Sequence, residues 1–134
     1  MSIKVNINKS QADAVVYAYS KQAAERAAGA IQARARQNIT SAGRVGNGQM
    51  LNGIITEDRT RDAGRPTIAV VSTAKHSRFQ EEGTRAHGPV RAKALRFQIR
   101  GRGPVIFAKW VRGVKALRFM RRAAEATTLR DFLR

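Results

Sequence analysis

An α+β fold with a long N-terminal helix, a small and mainly antiparallel sheet carrying a basic hairpin, and a C-terminal helix follows from three features of the sequence. Between Gln11 and Asn38, apolar residues return every three or four positions, the period of a helix with one buried face. Two later stretches, Thr67–Thr73 and Leu95–Arg100, are β-branched or alternate strictly, as strands do. Beyond Lys115 the helical period returns. Helix, strands and helix in succession, without an internal repeat, is the order of α+β domains. One domain over residues 1–134 is expected, with its core at about 10–124, a partly flexible loop at 40–66 and a C-terminal tail from 125.

At the N-terminus, "MSIKVNI" alternates and predicts a short strand with Ile3, Val5 and Ile7 on one face. Ser10 or Asn8 is the expected cap of the helix that follows. Its stripe is Ala12, Val15, Tyr19, Ala23, Ala27, Ile31 and Ala35, while Lys21, Glu25, Arg26, Arg34 and Arg36 fall mostly off it. Gly29 weakens the middle by about 1 kcal/mol relative to alanine. "TSAGRVGNGQ" (Thr40–Gln49) is a glycine-rich loop, "MLNGIITEDR" a short strand and "RTRDAGRP" a turn or hairpin tip. "TIAVVST" predicts an internal strand. "ALRFQIR" sets Leu95, Phe97 and Ile99 against Arg96, Gln98 and Arg100 on opposite faces. Gly101–Gly103 suits a hairpin connection, and "PVIFAKWVR" returns with Val105, Phe107 and Val111 alternating. "ALRFMRRAAEATTLRDFLR" closes the chain as a helix, with Leu117, Met120 and Ala124 on one side.

Charge narrows the function. The net charge is +17, and Arg85–Arg134 carries 14 Lys and Arg against Glu125 and Asp131, a net of +12. Such a surface repels its own copies and attracts polyanions, whether nucleic acid, an anionic membrane or an acidic protein. Aromatic residues are only 6% of the chain, so the core is expected to be thin and to draw stability from neighbouring subunits. With no cysteine there is no disulfide framework, thiolate zinc site or cysteine nucleophile. No run of about 18 apolar residues is present to span a membrane, and "MSIKVNINKS" lacks the apolar centre of a secretion signal. A soluble protein made in the cytoplasm is expected.

Catalytic signals are weak. His76 and His87 lie near Glu81 and Glu82, which together suit acid–base work or a metal, but no third ligand stands at a familiar spacing. "GRVGNG" lacks the Lys-Ser/Thr ending of a phosphate-binding loop, and no nucleophile signature surrounds the hydroxyl residues. No enzyme activity, catalytic residue, metal or cofactor is expected; a nuclease built on Glu81 and His87 is the remote alternative. Glu81 and Glu82 amid arginines instead suit ion pairing between subunits. Arg96, Arg100, Arg102, Lys109 and Arg112 suit backbone contact with DNA, or with an acidic partner, without sequence readout. Base stacking has Phe97, Phe107 and Trp110 as candidates, but alternation puts the two phenylalanines in the core.

Five segments stand in a telling order: "NGQMLNGI" (Asn47–Ile54), "FQEEGT" (Phe79–Thr84), "KALRF" (Lys93–Phe97), "VIFAKWV" (Val105–Val111) and "ALRFMRRA" (Ala116–Ala123). With the N-terminal helix before them, over about residues 10–124, they resemble the phage tail-component family typified by the gene 10 product of phage HK97. Its members carry a "YVEFGT" motif, a "KALRF…VFAK-x-V" hairpin and a closing "ARPFLRPA". Here Glu82 replaces an apolar residue, His76 sits near the expected tyrosine, and Arg118 and Arg122 replace both closing prolines. The last change favours a continuous C-terminal helix over a kinked tail.

The resemblance implies a structural virion protein at the neck or upper tail, acting as head–tail connector or tail-completion subunit. It implies a homo-oligomeric ring, a hexamer or dodecamer, around the channel for genomic DNA, bound non-specifically. Its other partners would be neighbouring neck and tail proteins: connector, stopper, tail terminator or tail tube. No membrane is involved. Phe119 and Arg121 in the closing segment are expected to serve in C-terminal docking. The alternative is a small basic nucleic-acid-binding module.

Overall fold

The computed structural model describes residues 2–6, 8–62, 64–98 and 103–133. The chain gathers into two compact units, Met1–Ala74 with Phe119–Arg134, and Lys75–Arg118.

The first unit is organised by helix α1 (Lys9–Ser41), two residues longer at its start and three longer at its end than periodicity predicts. Asn8 is the cap: its Oδ1 accepts from the Ser10 backbone N–H at 3.1 Å and from the Ser10 hydroxyl at 2.7 Å. The far end closes in a Schellman motif. Gly43 takes a φ of 66°, its N–H reaches the Thr40 carbonyl, and the Arg44 N–H reaches back to Ile39. These bonds satisfy carbonyls that a helix end otherwise leaves bare.

A short helix α2 (Gln49–Asn52) and strand β1 (Ile54–Asp58) stand inside the stretch expected to be partly flexible. Strand β2 (Ile68–Ser72) pairs antiparallel with β1, Ile54 opposite Ser72 and Asp58 opposite Ile68. β2 was expected to be internal, but among the described residues β1 is its only strand partner, and every residue of β2 is only half-buried. Two long polar side chains of α1 anchor this hairpin, Gln32 and Arg36 both donating to the Ile54 carbonyl, at 2.7 and 3.0 Å. Lys21 Nζ meets Asp58 at the other end of β1.

Two expectations fail here. Residues 2–6 form no strand: Ile3 and Val5 stand exposed, because alternation alone cannot hold a strand that finds no partner edge; Ile7, the third residue of the expected face, lies outside the described residues. The C-terminal helix is not continuous. It divides into α4 (Phe119–Glu125) and α5 (Leu129–Leu133), and residues 116–118 precede it in non-helical form, with Arg118 at a φ of 53°. The reason for the late start is competition for hydrogen bonds, since Leu117 and Arg118 donate to Gln80 and Glu81. The break at 126–128 has its own cause. Thr127 returns its hydroxyl to the Ala123 carbonyl, and the Thr128 N–H is capped by Asp131 Oδ2 at 2.8 Å, which starts a new helix.

The core of this unit is built from the C-terminal half of α1 together with residues of α2, β1 and α4. Phe119, Ile39, Met50 and Ile54 are its large closed-off side chains, with Ala27, Ala28, Ala35 and Ala123 between them. Asn38 ties α1 to α4 by donating to the Phe119 carbonyl at 3.0 Å.

In the second unit, helix α3 (Ser77–Glu82) exposes its last carbonyls to the segment at 117–118, as just described. Gly83 turns the chain at φ 77° and ψ 174°, a conformation essentially reserved for glycine. Residues 84–87 then run antiparallel to 111–114, with the Thr84 N–H on Val114 O and His87 and Val111 exchanging both backbone bonds. Gly113 is obligatory at this crossing, because a Cβ there would strike the Thr84 carbonyl. Strands β3 (Leu95–Phe97) and β4 (Ile106–Ala108) form the basic hairpin; of the expected connection Gly101–Gly103, the first two residues lie outside the described residues, as do Ile99 and Arg100 of the expected strand. Among the described residues this unit buries no apolar side chain; only Ser77 is buried.

Candidate functional site

The hairpin register decides what its faces carry. Leu95 stands opposite Ala108, Arg96 opposite Phe107 and Phe97 opposite Ile106. Directly opposed residues share a face, so Phe107 lies beside Arg96 and not with Leu95 and Phe97. This corrects the expectation that Phe97 and Phe107 are core residues. Alternation within each strand was legible, but the phase between them depends on the turn, and one residue of slip exchanges the faces. Phe107 is 66% exposed and Phe97 38%.

Trp110 is 64% exposed, and one edge of it lies against Gly88. A Cβ on Gly88 would come within 3.2 Å of its Cε3 and 2.9 Å of the Lys109 carbonyl, so the benzo edge of the indole rests on bare glycine backbone. Arg96, Lys109 and Arg112 are exposed and make no ion pair among the described residues. Arg100 and Arg102 lie outside the described residues. The hairpin therefore joins exposed aromatic rings to uncompensated cations.

The acidic corner is differently arranged. Glu82 Oε2 takes the Nε of Arg78, one turn back in α3, at 3.0 Å. Glu81 is half-buried and also engaged within the chain, its carbonyl accepting from Arg118. His76 precedes α3 without a side-chain capping bond, and His87 Nδ1 lies 3.2 Å from the Arg85 carbonyl. No group of three His, Asp or Glu residues suited to a metal occurs among the described residues. No helix among them is long and apolar enough to cross a membrane.

In the closing segment, Phe119 is fully buried and docks α4 onto α1 within its own chain. Arg121 pairs with Glu125 one turn on. A two-pronged polar contact there involves residues that the sequence did not single out as a site. Arg34 grips both oxygens of Asp131, Nη1 to Oδ2 at 2.9 Å and Nη2 to Oδ1 at 3.0 Å, and also reaches the Thr127 hydroxyl. Hydrogen bonding from Arg34, then from the Thr128 N–H, lowers the Asp131 carboxyl to about 2. Asp58 is likewise lowered to about 2, chiefly by the Thr60 hydroxyl and backbone N–H and then by Lys21. A helical arginine and a carboxylate 97 positions apart leave no sequence signal.

The model of the bacteriophage HK97-gp10 tail-component family matches residues 3–83. The chain belongs to that family. No curated protein and no solved structure matches it. The HK97-gp10 match takes in α1 through α3, including "NGQMLNGI" and most of "FQEEGT". The basic hairpin and the closing helices, with the other three segments, lie beyond it.

Proposed function

We propose that this tail-component protein is a head–tail connector or tail-completion subunit. It assembles as a ring, hexameric or dodecameric, around the DNA channel at the neck or upper tail, joins tail to head and catalyses no reaction. The observation that carries this reading is the second unit. Lys75–Arg118 holds twelve Lys and Arg against Glu81 and Glu82, a net of +10, and buries no apolar side chain among its described residues. A unit of this size without a core of its own is marginal in water, and its charge repels itself. Neighbouring subunits, neck proteins and genomic DNA, held non-specifically, would supply contacts and counter-charge.

The first half of α1 supports self-association. The helix is about 50 Å long at 1.5 Å per residue, yet its buried positions begin only at Ala27. Val15, Val16 and Tyr19 stand 69%, 64% and 55% exposed on a segment of mixed charge, Lys9, Asp13, Lys21 and Glu25, where copies can approach without strong repulsion. A second copy would cover this stripe.

Light scattering and native mass spectrometry test the reading. The wild-type chain is expected to form a closed oligomer. Val16→Glu with Tyr19→Glu is expected to yield a monomer of undiminished helix content, because both side chains are exposed within one chain. A wild type that stays monomeric, alone and with the adjacent neck and tail proteins, overturns the proposal.

A further inference from the structure

We infer that the β3–β4 hairpin binds single-stranded nucleic acid, stacking unpaired bases on Phe107 and Trp110 while Arg96, Lys109 and Arg112 hold the phosphates. This goes beyond loose attraction to duplex DNA in a channel and does not depend on ring formation. Charge alone asks only for a polyanion; the aromatic rings define which one.

Three features point to unpaired bases. First, register sets Phe107 directly across from Arg96 and both residues are exposed, so an aromatic and a cationic side chain rise from one face, the pairing of groups that a base and its phosphate require. Second, Trp110 is supported along one edge by the Gly88 backbone while nearly two-thirds of it remains exposed. A ring held in this way loses little freedom when a base settles on it. Third, the surrounding unit carries a net charge of +10 with Glu82 already committed to Arg78, so the local acids leave most of its cations uncompensated. Duplex DNA hides its base faces and has no use for the two rings. An acidic protein could use the cations and the rings, but it would need a matching density of carboxylates, whereas a nucleic-acid strand brings one negative charge with each base.

The chain has a single tryptophan, and it lies in the proposed site, so its own fluorescence reports occupancy. The full-length protein is titrated at about 150 mM salt with oligo(dT), oligo(rU), a duplex of equal length and polyglutamate. Quenching of Trp110 by oligo(dT) or oligo(rU), with both duplex and polyglutamate bound more weakly, is the expected result; the relative affinity of dT and rU tells DNA from RNA. Phe107→Ala is expected to weaken single-strand binding about tenfold or more, the usual loss on removing a stacking ring, and to leave duplex binding unchanged. Phe107→Leu keeps an apolar side chain without a π face and should show the same loss, which guards against a folding defect in the alanine variant. Equal affinity for single strand and duplex without quenching overturns the inference and leaves an electrostatic surface. Polyglutamate binding as tightly as oligo(dT) overturns it in favour of an acidic protein. Neither failure touches the oligomer reading, which is read from mass.

Discussion

Replacing Phe119 by alanine removes the largest of the four big side chains fully closed off from solvent among the described residues. The other three are Ile39, Met50 and Ile54, so no deep core exists to absorb the loss. Emptying a closed phenylalanine site costs about 3–5 kcal/mol, against a total stability of about 5–15 kcal/mol for a domain. For a unit of roughly 90 residues, each kcal/mol lowers the midpoint by about 4–8 °C, so the melting temperature should fall by roughly 12 °C or more. Far-UV circular dichroism during thermal and urea unfolding reads this directly, since α1 and α4 lose their packing together. Phe79→Ala is the control: Phe79 is 56% exposed, and such surface changes stay within about 0.5 kcal/mol. If the two variants melt alike, or Phe119→Ala shifts the midpoint by less than about 3 °C, Phe119 does not serve as the internal clamp between α4 and α1.

Two further outcomes are expected. Asp131 titrates at about 2 in the folded chain and near 3.9 when unfolded, so its pair with Arg34 stabilises fully above about pH 4 and is lost as the pH falls toward 2; Asp131→Asn should flatten the acid limb of stability against pH between those values, leaving the part due to Asp58, and an unchanged limb would contradict the pairing. Gly83→Ala forces a Cβ to within 2.7 Å of the Ala116 backbone nitrogen and Val114 carbonyl at a φ of 77°, a strain of about 1–3 kcal/mol; the Trp110 fluorescence transition in the same unit should move to lower temperature, and an unshifted transition would show that the turn relaxes freely.

Several elements were readable in the sequence because their signals are local. The three- and four-residue recurrence from Ala12 to Ala35 marks α1, Asn8 and Ser10 bracket its start, between which the structure chooses Asn8, and the β-branched run at Thr67–Thr73 marks β2. The five ordered segments pointed to the HK97-gp10 family, which the match over residues 3–83 establishes. Other features were out of reach because they depend on partners distant in the chain. Helical period in "ALRFMRR" gave no warning that Gln80 and Glu81 would claim the N–H groups of Leu117 and Arg118. Alternation in "MSIKVNI" held no information on whether an edge would be available. The candidate site divides in the same way: its cations were visible one by one, while the exposure of its aromatic rings was not.

Composition and period alone settled the charge, the absence of cysteine and the helix–strand–helix order, because each is a property of neighbouring residues. Tertiary structure alone decided that Phe119 turns inward, that Phe107 turns outward beside Arg96, and that Arg34 meets Asp131. Those outcomes follow from strand register and from competition for hydrogen bonds between distant segments, and neither exists until the chain has folded.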